Sequence, residues 1–76
     1  MQCSWEVTVT RLDGKQELKR TVQNTQPVKG DVVEKCAFIG GEIIPKMRII
    51  ESGHWEKPKG GTSMGAWTDV TAEELP

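Results

Sequence analysis

The sequence is poor in the features that usually announce a small protein's chemistry. It holds two cysteines, Cys3 and Cys36, and a single histidine, His54, in 76 residues. One bridge at most is then possible, so the chain is no disulfide-stapled scaffold and free thiols are expected. The soft ligands lie far apart, without the close pairs of a structural zinc site, so neither metal nor cofactor is expected. There is no long apolar run, which excludes a membrane-spanning helix. Neither sign of charge dominates: ten basic and eleven acidic residues leave a net charge of −1. No overall field therefore steers the chain to nucleic acid or anionic lipid. The opening Met-Gln-Cys-Ser-Trp-Glu has neither the basic nor the apolar region of a signal peptide, and the expected compartment is cytoplasmic.

What remains is a chain the size of one small domain, residues 1–76. Its apolar fraction of 36% is low, but three tryptophans offer large side chains around which a small core can form. The clearest local signal is Asp13-Gly14 between two alternating segments, which predicts a hairpin over residues 5–22 with a two-residue turn. Leu12 then faces Lys15. Val9 meets Leu18, Val7 meets Arg20 and Trp5 meets Val22 on one face, with Glu6, Thr8 and Thr10 against Thr21, Lys19 and Glu17 on the other. A slip of one residue would set Val9 against Glu17.

Further strands are expected at residues 32–39, 42–51 and 66–70. The first has apolar residues on both parities, which implies burial on both faces or a bulge; a helical turn at residues 36–39 is the competing arrangement. In the second, Pro45 implies an edge, a bulge or a start at Lys46. Residues 53–65 read as a long Gly-rich loop, and Thr71 with Glu74 fits the cap of one marginal helical turn. The phrase Val28-Lys29-Gly30-Asp31-Val32-Val33 resembles the turn-and-strand phrase of SH3-like barrels. The expected fold is all-β: a small antiparallel meander or partly open SH3-like barrel of four to five strands, with at most a one-turn C-terminal helix. Its core is expected from Trp5, Val7, Val9, Leu18, Val22, Val33, Phe38, Ile43, Met47, Ile49 and Trp67.

Chemistry is sparse. Lys59-Gly60-Gly61-Thr62-Ser63 has its lysine before the glycines, the wrong order for a phosphate loop. No carboxylate pair is placed for acid–base work, and cysteines in strands are normally inert, so an enzyme is not expected. The residues singled out for binding are His54, Trp55, Lys57, Lys59 and Met64 in the glycine-rich stretch, and Arg20, which the expected register puts on the apolar hairpin face. Arg20 there is either an anchor for an anionic group or a snorkelling side chain covering Val7. The expected function is a noncatalytic protein-interaction module, self-association included, because edge strands invite pairing with another chain. The alternative is a weak binder of single-stranded nucleic acid or a phosphate ligand through residues 55–59, where a tryptophan lies beside lysines.

Overall fold

The Asp13-Gly14 turn joins β1 (Cys3–Thr10) to β2 (Gln16–Gln23), but it is a loop of three residues rather than two. In this computed structural model, which describes residues 2–56 and 67–76, Arg11 N–H donates to Lys15 O at 2.7 Å and Gly14 N–H to Arg11 O at 2.9 Å. Gly14 stands at φ 86°, the left-handed residue that follows the first turn in such loops. Asp13 holds the corner by accepting Lys15 N–H on its carboxylate at 3.0 Å.

The extra loop residue moves the pairing by one. Trp5 faces Thr21, Val7 faces Lys19 and Val9 faces Glu17, while Glu6 faces Arg20 and Thr8 faces Leu18. The expected register is thereby overturned, and with it the placing of β2. Leu18 (66% exposed) and Val22 (46%) lie outside, not in the core. Arg20 leaves the apolar face and stands opposite Glu6, whose carboxylate it meets at 3.1 Å.

Three further strands follow: β3 (Val32–Ala37), β4 (Ile43–Glu56) and β5 (Trp67–Glu74). The sheet order is β2-β1-β5-β4-β3, and the sheet curls into a partly open half-barrel. The fold is all-β with no helix among the described residues, but it is no antiparallel meander. β5 lies between β1 and β4, antiparallel to β4 and parallel to β1. The connector of residues 24–31 carries the chain from one sheet edge to the other, leaving the centre for β5. Trp5 Nε1 donates to Thr25 O at 3.1 Å, and Ile49 exchanges backbone hydrogen bonds with Gly30 and Asp31 at 2.8 Å each. The turn expected at Lys29-Gly30-Asp31 is there, with Gly30 at φ 92° and Asp31 N–H bonded to Val28 O at 3.1 Å.

Residues 71–74 continue β5 instead of forming a helical turn. A single turn is unstable by itself, whereas here residues 71–73 gain ladder partners on both sides and Glu74 gains one on β4: Ala72 lies beside Val9 and Ile49, and Glu73 beside Thr10 and Arg48. β4 runs to Glu56, four residues into the stretch read as loop. Nothing described is a helix long and apolar enough to cross a membrane.

A second parity break lies in the β3–β4 hairpin. The ladder pairs Glu34 with Lys46 and Cys36 with Ile44 but skips Lys35 and Pro45, which stand opposite one another. Lys35 has φ 51°, a left-handed conformation uncommon outside glycine. On both strands the inward positions step by three there, from Val33 to Cys36 and from Ile44 to Met47. Ile44 is therefore buried while Ile43, an expected core residue, is 58% exposed. None of the bulge, edge and late-start alternatives for Pro45 holds: β4 starts at Ile43, lies between β5 and β3, and keeps one register with β3 on both sides of Pro45, with no extra residue inserted. Cys36 belongs to β3 and the helical turn does not form.

The core consists of Cys3, Trp5, Val7, Val9, Cys36, Phe38, Ile44, Met47, Ile49, Val70 and Ala72, with Val33 packed against it. The side chain of Trp67 lies outside the described ones. Two outcomes test this arrangement. Met47→Ala should cost about 2–5 kcal/mol in urea unfolding and Leu18→Ser less than about 0.5 kcal/mol; comparable losses would favour the rejected register. Gly53→Ala should cost about 1 kcal/mol or more, because its Cβ would lie 3.0 Å from Asp69 Cβ and 3.1 Å from Asp69 O.

Candidate functional site

Curling brings the two sheet edges, β2 and β3, against each other along a seam. They form no ladder, being the ends of the sheet order, and meet instead through a few specific bonds. Ile39 N–H donates to Arg20 O at 2.8 Å. The buried Thr21 hydroxyl donates to Ala37 O at 2.7 Å and accepts Gln23 Nε2 at 2.9 Å. The Cys36 thiol donates weakly to Thr21 Oγ1 at 3.9 Å and accepts from Gln23 Nε2 at 3.6 Å. Burial pushes the Cys36 thiol up from its ordinary pKa, the Thr21 bond opposing. The group stays a protonated thiol, a poor nucleophile.

The seam is polar within and apolar outside. On its outer side stand Leu18 and Val22 of β2, flanking Arg20, and Ile39, whose backbone is bonded to Arg20 and which is 71% exposed. Exposed Ile43, paired with Ala37, continues the apolar surface onto β4. In an antiparallel hairpin closed by the Arg11–Lys15 pair, alternation turns the backbone groups of Gln16, Leu18, Arg20 and Val22 away from β1, toward the seam. The carbonyl of Arg20 engaged by Ile39 agrees with that count.

One end of the half-barrel is occupied by charge. The register that expels Leu18 brings Glu17 and Lys19 to the inner face, where they meet Arg11, Glu42 of the β3–β4 turn and Glu74 at the end of β5. Arg11 reaches Glu17, Glu42 and Glu74, each at 2.8 Å. Lys19 pairs with Glu42 and, at 3.3 Å, with Glu17. The Lys19–Glu42 and Arg11–Glu42 pairs tie the β3–β4 turn to the first hairpin beside the Ile39–Arg20 bond. A shallow open depression next to the network is lined by Arg11, Leu12, Asp13, Glu17 and Glu74.

Of the residues singled out from the sequence, Arg20 lies on the outer face at the seam. His54 and Trp55 lie in β4, with Trp55 in register with Thr68, but their side chains are outside the described ones. Lys57, Lys59 and Met64 lie outside the described residues. Sequence reasoning missed the apolar strip, having buried Leu18, Val22 and Ile43, and it missed the ionic end. Glu17 and Lys19 alternate on one face of β2, which was the available signal. Among the described residues no group of three or more His, Cys, Asp or Glu side chains is placed to hold a metal ion.

The network makes stability depend on acid. Arg11 holds the Glu17 carboxyl below its ordinary pKa, and Lys19, followed by Arg11, does the same for Glu42. A carboxyl lowered on folding stabilises the fold above its unfolded pKa, about 4.3, and that contribution is lost as pH falls through the folded value. Lys19 is raised, chiefly by Glu42, and Arg11 is raised, chiefly by Glu74. Their contributions persist below their ordinary values and disappear only in strong alkali. The melting temperature should accordingly be flat from pH 6 to 8 and fall below about pH 4.3. Glu42→Gln should melt lower at pH 7 and fall less in acid; an acid limb identical to the wild type's would contradict the role given to Glu42. No family model, no curated protein and no solved structure matches this chain.

Proposed function

We propose that this chain is a noncatalytic protein-interaction module that self-associates through the outer side of the β2–β3 seam. The observation that supports the reading is the placing of Leu18, Val22, Ile39 and Ile43 together on the surface, around an edge strand that lies outside the sheet's ladders on its seam side. Exposed apolar residues are ordinary singly, but here they stand at a sheet edge, where backbone groups outside the ladder invite another chain. The charges nearby are spent on one another: Arg20 on Glu6, and Lys19 and Arg11 on three glutamates. The strip therefore favours an apolar partner surface over an anionic ligand. The seam's buried hydroxyl and thiol are engaged in hydrogen bonds or protonated, which suits a scaffold and not a nucleophile.

Sedimentation and light scattering over a concentration series test the reading. The wild-type mass should rise from monomer toward dimer. Leu18→Glu and Ile39→Glu, both at exposed positions, should fold normally and associate at least about tenfold more weakly, since covering a leucine is worth about 1.5–3 kcal/mol. A wild-type protein that stays monomeric at millimolar concentration would remove self-association from the proposal.

A further inference from the structure

The contacts that close the seam are all ones that a second copy of the chain can supply. β2 contributes Lys19 and the carbonyl of Arg20, together with the hydroxyl of Thr21. The β3 side contributes Glu42, the N–H of Ile39 and the carbonyl of Ala37. Donors and acceptors, and opposite charges, stand on opposite sides. Pairing β2 with another β2 would leave Glu42 and the Ile39 N–H without these partners. The two edges are thus complementary to each other. They also run antiparallel, because the partners ascend on β3 as they descend on β2: Gln23 meets Cys36, Thr21 meets Ala37 and Arg20 meets Ile39.

The seam is also where the closed sheet is held least. β1 is laddered to β2 and β5, and β4 to β5 and β3, whereas β2 and β3 are joined by the few bonds above. Opening there breaks no ladder, but it uncovers the inner face carrying Trp5, Val7, Met47 and Ile49. That face needs a cover of the same shape and chemistry, and another opened half-barrel is one.

From this complementarity we infer that the half-barrel opens along the seam and closes again on a second copy. β2 of each chain pairs with β3 of the other, giving a two-fold dimer with two intermolecular seams. Both seams form under one two-fold operation, so the assembly closes, and the bonds made between chains are the ones given up within them. Association is then set by protein concentration: the seam bonds are exchanged one for one between chains, and the apolar strip beside each seam supplies the additional contacts. The inference rests on the self-associating reading above and specifies its geometry. Closed half-barrels docked through their apolar strips would also be a dimer, but would keep each seam within its own chain.

Charge reversal separates the two. K19E sets a carboxylate against Glu42 and Glu17, and E42K sets an ammonium against Lys19 and Arg11, so each variant alone carries a mismatched seam. In a mixed dimer one intermolecular seam joins the two substituted positions, an ion pair with its signs exchanged, and the other seam is wild type. Refolded together, with one chain isotopically heavy, the two variants should give heterodimer in at least about tenfold excess over either homodimer by native mass spectrometry, the ratio that about 1.4 kcal/mol of preference produces. A mixture with no such excess would overturn the exchange. Wild-type protein supplies a measurement independent of variant folding. A light–heavy mixture, refolded at dimer-forming concentration, is treated with a zero-length carbodiimide that condenses the Lys19 amine with the Glu42 carboxylate. Light–heavy Lys19–Glu42 links should approach half of the total. Dimers whose links are all light–light or heavy–heavy would overturn the exchange and leave self-association standing; absence of any dimer would remove both.

Discussion

The backbone of Gly14, left-handed at φ 86°, allows Arg11 and Lys15 to close a loop of three residues, and the parity of β2 follows from that closure. With it, Thr21 lies inside, where its hydroxyl can bridge to Ala37, and Glu17 and Lys19 line the inner end of the half-barrel. The opposite parity would turn Leu18 and Val22 inward and strip the seam of its polar contacts. A hydrophobic gain on β2 is thus given up for specific bonds between two edges. The exposed ion pairs contribute little individually. Their value is geometric, since Arg11 reaches three glutamates from three different parts of the chain.

The core that remains is small but drawn from all the strands except β2. β1 supplies alternating Cys3, Trp5, Val7 and Val9, and β4 supplies Ile44, Met47 and Ile49 opposite them, with Val70 and Ala72 of β5 between. The buried polar residue that β2 adds is Thr21. An edge strand that buries little apolar surface is free to present apolar surface outward. Here the outward residues and the sparse bonding at the seam have one origin.

Some of this was legible in the residues. The alternation in β1 reads correctly because its inward side chains are large and apolar and its outward ones polar, so either loop length gives the same assignment. The Asp13-Gly14 turn was legible in position but not in length, because glycine serves a two-residue and a three-residue loop equally. Once the shorter loop is assumed, Leu18 and Val22 supply an apolar face that looks like core, and Arg20 becomes an anomaly the real register does not contain. Ile43 and Ile44 are adjacent and identical, so only the break at Pro45 decides which is buried, and a proline announces irregularity without giving its phase. The parallel pairing of β1 with β5 depends on contacts between the two ends of the chain, for which periodicity has no signal. The candidate surface was illegible for the same reason, being the product of register and closure and not of any motif.

Lys35 and Pro45, facing each other across β3 and β4, can also be read mechanically. Because both strands change phase at the same level, the irregularity runs across the hairpin as a crease. The register is the same on both sides of the crease, so the phase change carries both strands together and sets neither against the other. Beyond it, the part carrying Cys36, Ala37 and the Phe38–Glu42 turn is the part that reaches β2. A chain that regularised the crease on one strand alone would lose the common phase of the two, so positions 35 and 45 act as one unit.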